Sequence, residues 1–424
     1  MPKEQLHKRL SDEQVKAIIG KYASGGLRAH EAISYLGLGK SQFYRLVAEY
    51  QENTADFSVK YERSLPTNVI KASVEKNILK ELKVEKEKIV ENPEVAIKHY
   101  NYSYIRSLLW KKYEQRVSLP TIIERAKKHS FWKKQPVHKV HDREVLTNYP
   151  GEMIQHDSSH HLWAPEALQK WYLITSLDDY SRVLVYADLW TRESSWNHIQ
   201  ALESVFFKYG FPLSYYADQH SIFRYVKDRD KQSPWATYTK FTDDVDPQWR
   251  QVLKDCGVKP IYALSPQAKG KIERPYEWLQ DHLVRTCARE GVKTIQGAQE
   301  ILFDEVRQYN TKRIHATTKE IPILRMRAAL KEGKTLFRPF AIPEPYQSTK
   351  DLFCLRIPRI VDSYRRISLK KFQMTVPGVP CGHEVELRLY PDEKSGITEV
   401  RFWYKGHLTG TQKVKNEDLQ IVRF

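Results

Sequence analysis

Acidic side chains crowd the middle of this 424-residue chain, several of them where an apolar run ends. Asp157 lies in IQHDSSHHLW beside His156, His160 and His161, Asp178 and Asp179 close YLITSLDD, and Asp218 closes FPLSYYAD. Asp243, Asp244 and Asp246 form a cluster, and Glu273 stands in SPQAKGKIERPY, flanked by Lys269, Lys271 and Arg274. Carboxylate oxygens are the donors Mg²⁺ and Mn²⁺ prefer, so acids drawn from separate strands and a helix would make a sufficient protein shell for such ions. Imidazoles favour zinc instead. On a strand, however, residues 156 and 160 face away from 157 and 161, which argues against a joint histidine site. Asp178-Asp179 before Tyr180-Ser181-Arg182 have the composition of a turn, and the acids at 243, 244 and 246 that of a helix cap. The cations around Glu273 suit phosphate contact. Spacing alone leaves open which acids act together.

The elements that must carry these residues occupy positions 146–330. Met153–Trp163, Trp171–Asp178 and Val183–Trp190 read as three successive strands, rich in Tyr, Val, Ile and Leu. A helix, SSWNHIQALESVFFKYG, ends at Gly210. Strands are expected at Pro212–Asp218 and Lys259–Leu264 with a helix around Trp249–Asp255 between them, and long helices follow Gly270 and Thr294. Pro275 fits only the first turn of its helix, which places Glu273 at a helix N-terminus, where the dipole favours an ionised carboxylate. Three strands followed by strand–helix alternation fits an α/β fold, and a ribonuclease H-like domain is one of several with that order.

The flanks differ. Ser11 and Gln14 make a capping box, Val15, Ile18, Ile19 and Tyr22 recur at helical spacing, and a second helix carries Ala32, Ile33 and Leu36. Gly37-Leu38-Gly39 supplies a turn. A third helix buries Phe43, Leu46, Val47 and Tyr50 and turns Ser41, Gln42, Tyr44 and Arg45 outward. Residues 1–50 thus match a helix-turn-helix whose outward side chains would reach a major groove. The stretch ILKELKVEKEKIVE, within a 51–91 helical linker, balances its charges and is expected to be solvated. Residues 92–145 suggest a second helix-turn-helix, capped at Asn92-Pro93, with Ile105, Leu108 and Leu109 on its next helix and Ser118 capping a third from Leu119 to about Lys128. Arg125, Lys127, Lys128, Lys133 and Lys134 make it the most basic region. Residues 331–350 read as a proline-containing linker. The segment 351–424 reads as a small β-barrel with strands at Ser368–Val376, His383–Tyr390 and Thr398–Tyr404.

Charge agrees with this division. The net charge is +17, yet residues 151–200 carry 3 basic against 7 acidic groups, whereas residues 101–150 carry 11 against 4. Basic flanks around an acidic centre suit a polyanion held outside and cations held inside. Hydrophobic residues at 41% exclude a disordered chain. No apolar run approaches the ~18 residues of a membrane span. Four cysteines without a CxxC pair argue against a disulfide framework and a structural zinc, and fit a reducing cytoplasm.

Five segments, in order, resemble the integrase-type catalytic core of insertion-sequence transposases and retroviral integrases: IQHDSSHHLW, YLITSLDDYSRVLVYADL, YGFPLSYYADQHSIF, SPQAKGKIERPYEWLQ and YNTKRIHATTKEIP. The resemblance implies that Asp157, Asp218 and Glu273 are the catalytic carboxylates and hold two Mg²⁺ or Mn²⁺ ions. It implies a polynucleotidyl transferase that cuts DNA at element ends and joins the freed 3′-hydroxyl to target DNA. Terminal inverted repeats and target DNA would be its partners, with a homodimer or larger assembly on DNA and a bacterial, nucleoid-associated location. No membrane or zinc is expected. Gln219-His220 follow Asp218 where the family shows Asn-Gly, and about twenty extra residues, RYVKDRDKQSPWATYTKFTDDVD, separate Asp218 from Glu273. An inactive DNA-binding regulator and a ribonuclease H-like nuclease without strand transfer are the alternatives.

Overall fold

The structure, a computed structural model, describes residues 5–60, 70–133, 147–217, 248–262, 273–369 and 372–419. The expected insertion, with Trp235, Tyr238 and Lys240, lies outside them. The chain divides into two compact units, Met1–Glu75 and Lys76–Phe424.

The first unit is helical: α1 (Leu6–Arg9), α2 (Asp12–Ala23), α3 (Ala29–Leu36) and α4 (Lys40–Glu52). The capping box forms, with Ser11 Oγ accepting from Gln14 N at 3.3 Å and Gln14 Oε1 accepting from Ser11 N at 2.9 Å. Gly37 ends α3 at φ 60°, and a Cβ there would stand 2.8 Å from the Arg9 guanidinium, which itself caps Leu36 O. Val15, Ile19, Ala32, Leu36, Phe43, Leu46 and Val47 form the core.

The second unit is built on a five-stranded mixed sheet, in order β3 (Leu184–Trp190), β2 (Trp171–Asp178), β1 (Met153–His161), β4 (Ser214–Ala217), β5 (Lys259–Tyr262). The first three strands are antiparallel, while β4 and β5 run parallel to β1. Along the chain, the elements follow the expected succession of three strands and then strand–helix alternation. Helices α8 (Ser195–Tyr209) and α9 (Gln248–Asp255) cover one face through Trp196, Phe206 and Trp249. Helices α10 (Glu273–Glu290) and α11 (Ile295–Lys312) cover the other through Tyr276, Leu279, Leu283 and Leu302.

Two expectations around residues 72–128 fail. The charge-balanced stretch is helix α5 (Ala72–Glu85) continued by a π-helical turn, and one side of it is buried rather than solvated. Glu81 and Glu85 pair with Arg289 and Arg285 of α10, while Arg285 also donates to Asp281 at 2.7 Å and to His99 O at 2.9 Å. Buried charges persist only with such partners. Asn92-Pro93 starts no helix. The Asn92 side chain accepts from Glu94 N at 3.0 Å, closing a turn instead. The next two helices form as expected, α6 (Tyr102–Tyr113) and α7 (Leu119–Lys128), with Ser118 Oγ capping α7 through Thr121 N at 3.3 Å.

After α12 (Pro322–Lys331), the irregular segment from 331 is held down. Phe211 and Arg338 exchange backbone hydrogen bonds of 2.8 and 2.9 Å. Gly210 allows that approach, because a Cβ there would overlap Arg338 O. Past α13 (Thr349–Leu352) come β6 (Leu355–Ile360), β7 (Arg366–Leu369), β8 (Phe372–Thr375), β9 (Glu384–Asp392), β10 (Ile397–Tyr404) and β11 (His407–Lys415). The expected closed barrel is not formed among the described residues. Instead there is an open antiparallel sheet, β11-β10-β9-β6, and a separate β7–β8 ribbon in place of the single strand expected at Ser368–Val376. Their apolar faces join Trp196, Phe206 and Trp249 in a single core with Phe353, Leu387 and Phe402. The Gln248 amide covers the outer edge of β6, donating to Arg356 O at 2.9 Å and accepting from Arg356 N at 2.6 Å.

Candidate active site

Asp157 sits in the middle of β1, partly exposed, opposite Thr175 of β2. Cross-strand partners in an antiparallel pair share a face, and Thr175 donates its hydroxyl to Tyr276 OH at 2.9 Å. Tyr276 belongs to the first turn of α10, and both side chains are buried. The face bearing Asp157 is therefore the one on which the N-terminus of α10 lies. That helix begins at Glu273, with Pro275 in its first turn, where no intrahelical N–H is required. The side chains of Glu273, Arg274 and Pro275 are outside the described residues, as are Asp218, Lys269 and Lys271 altogether. Strand β4 ends at Ala217, one residue before Asp218. Asp157, in the middle of β1, offers carboxylate oxygen, a donor that fits a hard divalent cation rather than a soft one. Among the described residues, no three His, Cys, Asp or Glu side chains gather as a metal site.

The opposite face of β1 carries a buried polar chain. His156 Nδ1 lies 2.8 Å from Ser176 Oγ and its Nε2 lies 2.8 Å from His198 Nδ1. His198 Nε2 in turn meets Glu193 Oε1 at 3.0 Å, and Ser158 donates to the same oxygen. Trp249 stacks on His156 with ring centres 5.9 Å apart. His160 stacks instead on Tyr172 at 4.1 Å, and His161 packs edge-on to Trp163. Burial holds the His161 pKa below its ordinary value, with Lys170 adding to the effect. Strand alternation turns His161 away from His156 and His160, and those two meet different neighbours, so the three histidines do not converge. His198 and Glu193 belong to no motif, and only the Ser194 cap of α8 marks in sequence where their helix starts.

Asp178 and Asp179 are turn residues. Asp178 accepts from Gly151 N at 2.9 Å and Ser181 N at 2.8 Å, and Asp179 pairs with Arg182 at 2.9 Å. Burial raises the Asp178 pKa to about 6, although hydrogen bonds from Ser181 and Gly151 oppose it. Asn310 of α11 grips β3 by accepting from Leu184 N at 2.9 Å and donating to Leu184 O at 3.0 Å. Arg313 lies over the Trp278 ring at 5.4 Å, and His315 is buried. The motif YNTKRIHATTKEIP therefore locks the α10–α11 layer onto the sheet.

Of the candidate DNA-contacting residues, Ser41, Gln42, Tyr44 and Arg45 all face outward on α4, opposite Phe43, Leu46 and Val47. Arg45 lies 3.7 Å from Glu49. On α7, Lys127 and Lys128 are exposed, whereas Arg125 is largely covered and pairs with Glu124 at 3.0 Å. Lys133 is exposed and Lys134 lies outside the described residues. Four free cysteines, three of them buried, agree with the lack of a disulfide framework. Among the described residues, no helix is long and apolar enough to cross a membrane.

No family model matches the chain. Among curated proteins it is 27% identical over 264 residues to "Putative transposase y4bF" of Sinorhizobium fredii, a match covering 61% of this chain and 51% of that protein. It is 28% identical over 173 residues to the transposase for insertion sequence IS1202 of Streptococcus pneumoniae, covering 41% and 35%. The matches therefore span about half and about a third of these relatives. Among solved structures, the HTLV-2 integrase catalytic core in complex with magnesium overlaps 42% of this chain and 97% of its own, at 13% identity and a TM-score of 0.31. A simian T-cell lymphotropic virus intasome in complex with PP2A regulatory subunit B56 gamma overlaps 70% of this chain and 89% of its own, at 12% identity and a TM-score of 0.33. Overlaps this slight carry no weight for fold or function.

Proposed function

We propose that this chain, a relative of insertion-sequence transposases, is a DNA transposase of the DDE type, with Asp157, Asp218 and Glu273 as its catalytic carboxylates. The observation that carries the proposal is the Thr175–Tyr276 hydrogen bond. It ties the first turn of α10, which begins at Glu273, to the strand position beside Asp157. The β1–β4 register supports it as well: Met153 pairs with Ser214, and Asp157 follows Met153 by as many residues as Asp218 follows Ser214.

In this reading Asp157, Asp218 and Glu273 would hold two Mg²⁺ or Mn²⁺ ions, with Asp157 contributing to both sites and Asp218 and Glu273 to one each. Bound there, the ions would stabilise charge on the attacking and leaving oxygens of an in-line phosphoryl displacement. The chain's own part is to hold the carboxylates ionised and aligned. The α10 dipole favours the charged form of Glu273, and the buried Tyr276 anchor fixes the helix that carries it. Water first cleaves the phosphodiester at the element end and frees a 3′-hydroxyl. That hydroxyl then attacks a target phosphodiester, with no protein–DNA bond formed. Lys269, Lys271 and Arg274 would contact phosphates near the scissile bond, and Ser41, Gln42, Tyr44 and Arg45 would read terminal inverted repeats. Arg125, Lys127, Lys128, Lys133 and Lys134 would add backbone contacts. Two ends require two such sites, hence a homodimer or larger assembly.

The test is strand cleavage and joining on DNA carrying the element ends. Asp157→Asn and Glu273→Gln should each abolish Mg²⁺-dependent cleavage while leaving DNA affinity within about twofold. Joining by either variant at the wild-type rate would remove these residues from the mechanism.

A further inference from the structure

The C-terminal part of α6, the turn after it and the C-terminal half of α11 enclose an open groove of about 640 Å³ that none of the candidate DNA-binding residues above line. Five cations converge on it, Arg106, Lys111, Arg116, Arg307 and Lys312, against two carboxylates, Glu114 and Asp304. Asp304 is already engaged, 3.0 Å from Arg307 and 3.7 Å from Lys111, so it braces α11 against α6 and leaves the groove basic. The floor includes the Trp110 indole, which is 45% exposed. The Arg116 guanidinium rests over that ring, 4.7 Å from its centre, which holds the charge in place and leaves its outer edge for a ligand. A smaller cavity of about 220 Å³ shares Ser107, Lys111 and Gln308 with the groove and extends it towards Thr286.

We infer that this groove is a second nucleic-acid track, in which the sugar–phosphate backbone of DNA crosses from α6 to α11. A single phosphate would occupy a small fraction of the space and meet only one or two of the cations. Charges spread over two helices, interleaved with an exposed indole, suit a polymer with repeated phosphates. The track would join the helical α6–α7 segment and the sheet-bearing part of the unit on one DNA segment. The choice of DNA as the polyanion rests on the transposase reading.

The experiment titrates full-length protein into a fluorescent DNA duplex at several salt concentrations and follows anisotropy. The triple variant Arg116→Ala, Arg307→Ala, Lys312→Ala should weaken binding at least tenfold at low salt. It should also reduce the slope of log affinity against log salt by roughly 2 to 3, because each phosphate that is no longer neutralised removes about 0.9. Circular dichroism melting checks that the variant is folded. If the triple variant does not fold, Arg307→Gln alone, at an exposed position, should lower the slope by about 1. A folded variant with the wild-type slope overturns the inference. The two proposals fail separately. Metal-dependent cleavage together with an unchanged slope removes only the groove, whereas a lowered slope in a protein that never cleaves DNA removes only the catalytic assignment.

Discussion

Thr175 and Tyr276 show how much rests on one buried hydroxyl pair. Tyr276→Phe leaves the Thr175 hydroxyl without this partner in a fully buried position. The cost should be about 1–3 kcal/mol, measurable by denaturant unfolding. If α10 positions Glu273, the same variant should lose about 10-fold or more in cleavage rate well below its melting temperature, with DNA affinity unchanged. A stability loss alone would confine Tyr276 to packing. Glu203 gives a second residue-scale test. Burial lifts its carboxyl to about 7, only partly offset by the Tyr390 hydroxyl, which donates to it at 3.2 and 3.3 Å. The folded chain therefore holds this proton more tightly than the unfolded chain. The associated stability is complete below the ordinary pKa of 4.5 and is lost as pH rises through about 7. Glu203→Gln should flatten that decline, which amounts to about 3 kcal/mol at most. Parallel pH profiles of wild type and variant would refute the assignment.

Between elements, the α5–α10 clasp matters most because its charges have left water. Arg285→Ala leaves buried Glu85 with Arg289 as its remaining cation and takes from Asp281 one of its partners. It should cost about 3–5 kcal/mol in a thermal or denaturant melt. Burial alone would raise the Asp281 pKa, but bonds from His99, Arg285 and Asn101 outweigh it and hold the carboxyl well below its ordinary range. No local reading of ILKELKVEKEKIVE exposes this role, because the arginine partners of Glu81 and Glu85 lie some 200 residues away. Elsewhere local signals suffice. Strand β2 has its expected bounds because a mostly apolar, strand-favouring run meets an Asp-Asp turn, and α7 follows from its Ser118 cap. Strand β6 is hidden in the sequence because Pro358 argues against a strand interior; it is tolerated there because β6 is an edge. The β7–β8 ribbon reads as one strand because Lys370-Lys371 carry no turn chemistry. At the candidate site, the motif order points to Asp157 and Glu273, while the His198–Glu193 part of the relay depends on tertiary contact alone.

At the scale of the molecule, the C-terminal sheet is continuous with the core beneath β1 and β4. Phe353 packs on Phe206 with ring centres 5.9 Å apart, and Trp196 meets Tyr390 at 5.2 Å. Phe353→Ala should therefore cost about 3–5 kcal/mol, as in any filled aromatic core. Removing residues 351–424 should yield aggregated protein rather than a nuclease lacking one module, which solubility and melting measurements would check. A soluble, cooperatively melting truncation would show the sheet to be separable. The shared core also sets a timetable during synthesis. Strand β5 ends at Tyr262, yet the buried surface it belongs to includes Leu419. At roughly 5–20 residues per second, a ribosome needs on the order of 10–30 s to cover that distance. Throughout that interval the outer sides of α8 and α9 face water or a chaperone. A nascent chain thus carries the strands of its central sheet well before it can hold them rigid.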